Sequence, residues 1–296
     1  LKSFISKYKL NKQLFLLDEP IFIDGFPESA NFGDALNIFL ARYLSGRNVF
    51  PARFLDQTYQ RFKPSYAVIG SICQWSRQQT IVWGAGFIED KLNTVDFVKP
   101  NQVLAVRGPL SRNVYLANGI ECPPCYGDPA LLLPLIYNPQ VEPVYTYGII
   151  PHYVDWDMKW VNQYRTNKDV SIINIMIGDN YELFVKQLKS CRKIVTSSLH
   201  GLILAHAYGI PVCSIKLSNN ITGGEFKFTD YLLSVGKVAK ERINLAESEI
   251  SIERLCYDDQ PIDVNLAPLI EACPFILPDQ KRFLLSKNRS YYQSPS

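Results

Sequence analysis

KIVTSSLHGLILAHAYGIPVCSI, residues 193–215, is the stretch on which the fold turns. Lys193–Thr196 is β-branched and apolar, the composition of a buried strand. Ser197 and Ser198 are residues that cap a helix by accepting bonds from its unpaired N–H groups. The apolar run from about Leu199 to Tyr208 predicts a short helix, Gly209 its left-handed exit, and Pro211 a stop. Val212–Ile215 then reads as the next strand. Strand, helix and strand in so few residues is the unit of a parallel sheet. Its one ionisable residue at the helix start is His200. Helix N-termini attract anions, and the ends of parallel strands are where such sheets bind ligands.

The same alternation extends outward on both sides. In the first half, Leu14–Leu17, Ile21–Ile23, Tyr66–Ile69, Thr80–Trp83 and Val103–Val106 read as strands. Asn31-Phe-Gly-Asp34 starts a helix in which Leu36, Phe39, Leu40, Tyr43 and Leu44 recur at helical spacing and which Gly46 closes. Pro109 suits a first helical position and Asn118-Gly119 an exit. A cluster of Pro, Asn and Gln at 138–143 marks a linker. Beyond it, Tyr145–Ile150 and Ser171–Met176 read as strands, and Glu182–Ser190 and 226–235 as helices. The expectation is an α/β protein of two Rossmann-like parallel-sheet domains facing a cleft. Residues 1–140 form the first, 141–240 the second, and 241–296 a tail packing back on the first. Right-handed crossovers place every strand-end turn on one edge of each sheet. Gly70-Ser71, Gly84-Ala-Gly86, Arg107-Gly108, Pro151-His152 and Ser197–His200 all fall at such turns.

Composition narrows the class. With 296 residues, 47% hydrophobic and 20% charged, the chain is globular, and no apolar run approaches the ~20 residues that cross a bilayer. A net charge of +3 does not call for nucleic acid, but suits an anionic substrate or a membrane surface. Seven scattered cysteines, several inside apolar strands, point to reduced thiols and a cytosolic setting. Cys122-Pro-Pro-Cys125 has redox spacing but is followed by Tyr-Gly-Asp-Pro instead of a helix, so neither redox chemistry nor zinc is expected. Gly84-Ala85-Gly86 lacks the third glycine of a dinucleotide fingerprint.

Four side chains could carry chemistry. Arg107 follows a strand and precedes Gly-Pro; its guanidinium either grips a carboxylate or phosphate from the cleft or pairs with a neighbouring acid. His200 is a general acid/base or a satisfied core histidine, and its place at a positive helix end favours the neutral imidazole. His206, about 240° further round that helix, reads as structural. His152 lies at another strand end. Lys227 opens a helix, where the dipole does not want a cation; this suggests an anion partner, against the reading of a solvated surface lysine. Asn31, Asp34 and Asp128 are equally at home as turn and cap residues.

In order, Asn31-Phe-Gly-Asp34, Gly70-Ser71, Trp83–Gly86, Val106–Ser111, Gly127–Ala130, Ile150–Tyr153 and Ser197–Pro211 resemble the polysaccharide pyruvyl transferase family. The resemblance implies a fold like the two-domain GT-B glycosyltransferases. It also implies transfer of a pyruvate ketal from phosphoenolpyruvate to two hydroxyls of a sugar, on glycan precursors of capsule, exopolysaccharide or cell wall, in the cytoplasm near the membrane. The family assigns an arginine, a histidine and a lysine to phosphoenolpyruvate; Arg107 and His200 match the first two, and Lys227, with Lys216 as competitor, the third. On this reading Ser197, Ser198, Leu199 and His152 complete the donor site. The first half holds the acceptor near Asn31, Asp34, Gly70 and Ser71. Phosphoenolpyruvate is a co-substrate, and neither a cofactor nor a metal is expected. Two rival readings share the scaffold: a GT-B glycosyltransferase using a nucleotide sugar, and a non-catalytic glycan-binding module.

Overall fold

The computed structural model describes residues 19–55, 60–90, 98–246 and 250–292. The expected strand at Leu14–Leu17 lies outside them. The first half carries five strands, β1 (Ile21–Ile23), β2 (Val49–Pro51), β3 (Ser65–Ala67), β4 (Thr80–Trp83) and β5 (Gln102–Ala105). Helix α1 (Phe32–Ser45) joins β1 to β2, and α2 (Pro109–Ala117) follows β5. The second half carries β6 (Tyr145–Ile150), β7 (Val170–Ile172), α3 (Tyr181–Lys189), β8 (Cys191–Thr196), α4 (Leu199–Ala207), β9 (Val212–Lys216), α5 (Phe226–Ser234) and β10 (Ile243–Asn244). Two further helices close the chain, α6 (Ala267–Glu271) and α7 (Pro278–Tyr292). No described helix is long and apolar enough to cross a membrane.

All pairs among the described strands are parallel, in the orders β2-β1-β3-β4-β5 and β10-β9-β8-β6-β7. The protein is therefore an α/β molecule of two five-stranded parallel sheets with interleaved helices. Strand order reverses between β1 and β3 in one sheet and between β6 and β8 in the other. At such a switch point the outgoing connections diverge to opposite faces and leave a crevice at the carboxyl ends of the strands. The four turns leaving those strands contain Asn31–Asp34, Gly70-Ser71, Pro151-His152 and Ser197–His200.

The expected strand Ser171–Met176 is shorter than its composition predicts. It leaves the sheet after Ile172, although Ile173 and Ile175 are buried. The reason lies in the other half: the Ile175 carbonyl accepts from Phe32 N at 2.8 Å, and Gly178 N donates to the Ala30 carbonyl at 2.7 Å. This segment spends its backbone on the start of α1 instead of on a neighbouring strand. Phe32 and Phe184 stack across the same seam, with ring centroids 4.3 Å apart.

One apolar cluster runs through both halves, from Ile21 and Leu36 to Ile194 and Leu202, and takes in Leu266, Leu269, Ile270 and Leu284 from beyond residue 240. The buried Trp83 donates from Nε1 to the Leu269 carbonyl at 2.8 Å, and the Phe275 ring meets both Tyr66 and Trp83 edge-on. From α7, the Tyr291 hydroxyl donates to the Ala207 carbonyl and the Tyr292 hydroxyl to the Leu131 carbonyl. Burial raises the Cys122 and Cys125 thiols to about 12 and about 11, far from the thiolate that redox chemistry requires.

Candidate functional site

The four turns at the switch points meet where the halves face each other. Asn31 caps α1, its side chain accepting from Gly33 N at 3.0 Å. Gly33 touches the other half. A Cβ on it would stand 1.8 Å from His200 Nδ1, so the imidazole lies directly on the Gly33 backbone. Only glycine permits this approach. His200 itself stands in the first turn of α4, whose cap is Ser198. Its Nε2 is shielded from solvent and has no hydrogen-bond partner.

Ser197 is occupied in holding the turns together. Its hydroxyl donates to Asp155 Oδ2 at 2.7 Å and accepts from His152 N at 2.9 Å. The other Asp155 oxygen accepts from the Ser218 hydroxyl at 2.6 Å. Three connections at the carboxyl edge of the second sheet are thereby tied to one buried carboxylate, which fixes the rim on which His152 and His200 stand.

Arg107 resolves to the second of its two readings. Its side chain is fully buried, Nε and Nη2 lie 3.0 and 2.9 Å from Asp230 Oδ2, Nη1 donates to the Ser71 hydroxyl, and Nη2 donates to the Phe87 carbonyl. Asp230 also accepts from the Ser111 backbone and hydroxyl. The guanidinium lies across Gly86, where a Cβ would be 2.6 Å from Cζ. With its side chain enclosed, Arg107 contributes positive charge from just behind the cleft wall.

Lys227, in the first turn of α5, is only 8% exposed, which excludes the solvated alternative. Its Nζ donates to the Thr222 carbonyl at 3.0 Å, and no described carboxylate forms an ion pair with it. A buried ammonium without a carboxylate is a costly arrangement. Burial, Arg107 and Arg242 hold it down at about 8, against a smaller opposing pull from Asp34. Arg242 is itself paired with Glu225. Lys216, at the end of β9, stands half-buried beside β10.

These groups feel one another. Burial, Lys227, Arg107 and His152 lower His200 to about 3. Burial and Lys227 lower His152 to about 4, with Asp155 opposing. Burial raises Asp34 to about 6 despite Lys227. A Cβ on Gly70 would lie 3.8 Å from Asp34 Oδ1, which places this carboxyl between the two switch-point turns of the first sheet. The structure thus brings Arg107, His152, His200, Lys227 and Asp34 into one neighbourhood, while Asn31, Ser71, Ser197 and Ser198 are engaged in shaping it. Leu199 is buried in the core. His206 contacts the Tyr231 hydroxyl at 3.1 Å, away from this group, as a structural residue.

Sequence reasoning missed the acids that set this geometry, Asp155 and Asp230. The available signal was a lone carboxylate among apolar neighbours: Asp230 stands in α5 between Phe228 and Tyr231, and both of those rings are buried.

A family model described as polysaccharide pyruvyl transferase matches residues 31–219. That span contains every switch-point turn and ends short of Lys227. The chain is 31% identical over 279 residues to a protein of Acanthamoeba polyphaga mimivirus named "Uncharacterized protein L143", with 91% of each chain covered. It is 25% identical over 222 residues to "Succinoglycan biosynthesis protein ExoV" of Rhizobium meliloti (strain 1021), covering 73% of this chain and 65% of that one.

Proposed function

The chain belongs to the polysaccharide pyruvyl transferase family, and on that premise we propose that it transfers a pyruvyl group from phosphoenolpyruvate to two hydroxyls of one sugar in a glycan precursor, forming a ketal. The observation that carries this reading is Lys227, an ammonium buried at the meeting of the halves with no described ion-pair partner. A small polyanion supplies the charge that the site lacks. Phosphoenolpyruvate carries a phosphate and a carboxylate, and the positive N-terminal end of α4 and the buried Arg107 add to its attraction.

Ketal formation needs proton transfers at each stage. One sugar hydroxyl adds to C2 of the enol while C3 gains a proton. The bond from C2 to the phosphate oxygen then breaks, and the second hydroxyl closes the ring as its own proton leaves. The products are the ketal and inorganic phosphate. His200, neutral with its Nε2 unpartnered, is placed to accept a hydroxyl proton. The anionic donor paired with Lys227 opposes the positive charges that hold His200 down, so the imidazole can retain that proton until the next step. Asp34, raised to about 6, is poised to hold a hydroxyl of the acceptor. Arg107, fixed by Asp230, stabilises charge on the departing phosphate through its field.

The test is a thermal shift followed by a turnover assay. Phosphoenolpyruvate at about a hundredfold over its Kd stabilises the protein by about 2.7 kcal/mol, and Lys227→Ala loses most of that shift. Nucleotide sugars give none. With a competent acceptor, phosphate release from phosphoenolpyruvate depends on the sugar, and His200→Ala lowers it at least about a hundredfold. A shift with nucleotide sugars alone overturns the proposal in favour of glycosyl transfer.

A further inference from the structure

A cavity of about 610 Å³ opens between the halves beside His152 and Lys227. Two of its walls are aromatic rings that stand out in solvent: Trp75, 55% exposed, from the first half and Tyr153, 51% exposed, from the second. Each rides on a single 3-10 turn, Cys73–Trp75 and Tyr153–Asp155, in the connections that leave the switch-point strands β3 and β6. Each ring has an aromatic neighbour. Phe26 meets Trp75 edge-on with centroids 5.8 Å apart, and the His152 ring lies 4.4 Å from that of Tyr153. Exposed Asn220 and Thr222 add amide and hydroxyl groups to the rim.

Exposed aromatic rings lining one cavity from both halves fit a ligand with one apolar face and polar edges. A pyranose has that form. Its axial C–H groups present an apolar, faintly positive face to the electron-rich face of a ring, and its hydroxyls radiate sideways. We infer that Trp75 and Tyr153 are the stacking walls for one sugar ring of the acceptor, seated between the halves with its reacting hydroxyls turned toward Lys227 and His152. The fate of those hydroxyls rests on the pyruvyl-transfer reading; the seating of the ring does not.

Saturation-transfer NMR on the full chain tests this, with methyl β-D-galactopyranoside, methyl β-D-glucopyranoside and methyl α-D-mannopyranoside as probes. At least one of them receives saturation mainly on the protons of one face. Trp75→Ala and Tyr153→Ala each weaken that binding by about tenfold, Trp75→Phe recovers most of it, and the melting temperature and phosphoenolpyruvate binding stay at wild-type values. Alanine variants that bind the pyranoside as the wild type does overturn the assignment, as does a wild-type protein that binds none of the three. Displacement of the pyranoside by uridine monophosphate also overturns it, giving the rings to a base. If phosphoenolpyruvate fails to bind while the pyranoside result holds, pyruvyl transfer falls and the sugar platform stands.

Discussion

Lys227 concentrates the chemistry of the site in one nitrogen. It holds at about 8 because burial and two arginines oppose its charge. The anionic donor favours the ammonium form and so raises that value on binding. Below about pH 8 the lysine is already charged and binding takes up no proton from it. Above that point each binding event must also protonate Lys227, and affinity falls by up to about tenfold per pH unit. Calorimetry with phosphoenolpyruvate should show a dissociation constant flat near neutrality and rising above about pH 8, whereas Lys227→Gln binds more weakly and without that rise. A wild-type affinity unchanged well above this range removes Lys227 from the donor site. The sequence showed that a cation stood at a helix start; it did not show that the cation was buried. In the fold its Nζ donates to the Thr222 carbonyl, and it shares a cavity wall with Phe87 and Ile88 of the other half.

At the scale of elements, periodicity and caps were highly legible. β1, β4 and β6 begin and end where their apolar runs do, and Gly46, Gly119 and Gly209 leave their helices with φ of 65°, 67° and 64°. The short strands β2 and β10 went unread, β3 stops at Ala67 instead of Ile69, and β7 falls short because local composition cannot report that a backbone will be claimed by another half. The start of α1 makes the same point. Gly33 looks like part of a turn in sequence, and its purpose is visible only with His200 upon it. Gly33→Ala should favour the helix by up to about 1 kcal/mol while forcing the imidazole aside. Stability therefore changes by no more than about 2 kcal/mol, with overpacking and propensity opposed. Acceptor-dependent phosphate release falls by about a hundredfold, as expected when a catalytic group is displaced by an ångström or so. Full turnover in this variant would show that the position of His200 is immaterial.

For the molecule as a whole, the decisive joint is Arg107–Asp230. Its partners stand 123 residues apart, so neither flanking sequence names the other. The buried guanidinium and carboxylate, with Ser71, Ser111 and the Phe87 carbonyl, pin α5 of the second half to α2 and the strand ends of the first. Asp230→Ala leaves a positive charge buried and unpaired, and should lower unfolding stability by about 3–5 kcal/mol, read as a fall in the urea midpoint. The double variant Arg107→Met with Asp230→Leu should recover much of that loss and remain inactive, because an apolar pair replaces the ions without restoring the field. Equal stability of Asp230→Ala and wild type would mean that the halves are held together elsewhere.

The indole of Trp83 bonds to a carbonyl that lies 186 residues further along the chain. During translation the first sheet leaves the ribosome long before its cover exists. At about 5–20 residues per second, Trp83 waits roughly ten to forty seconds for Leu269. For that interval Tyr66 and Trp83 lack the Phe275 ring and the Leu269 carbonyl that meet them in the finished molecule, so the first half cannot reach its final packing until the last residues are made.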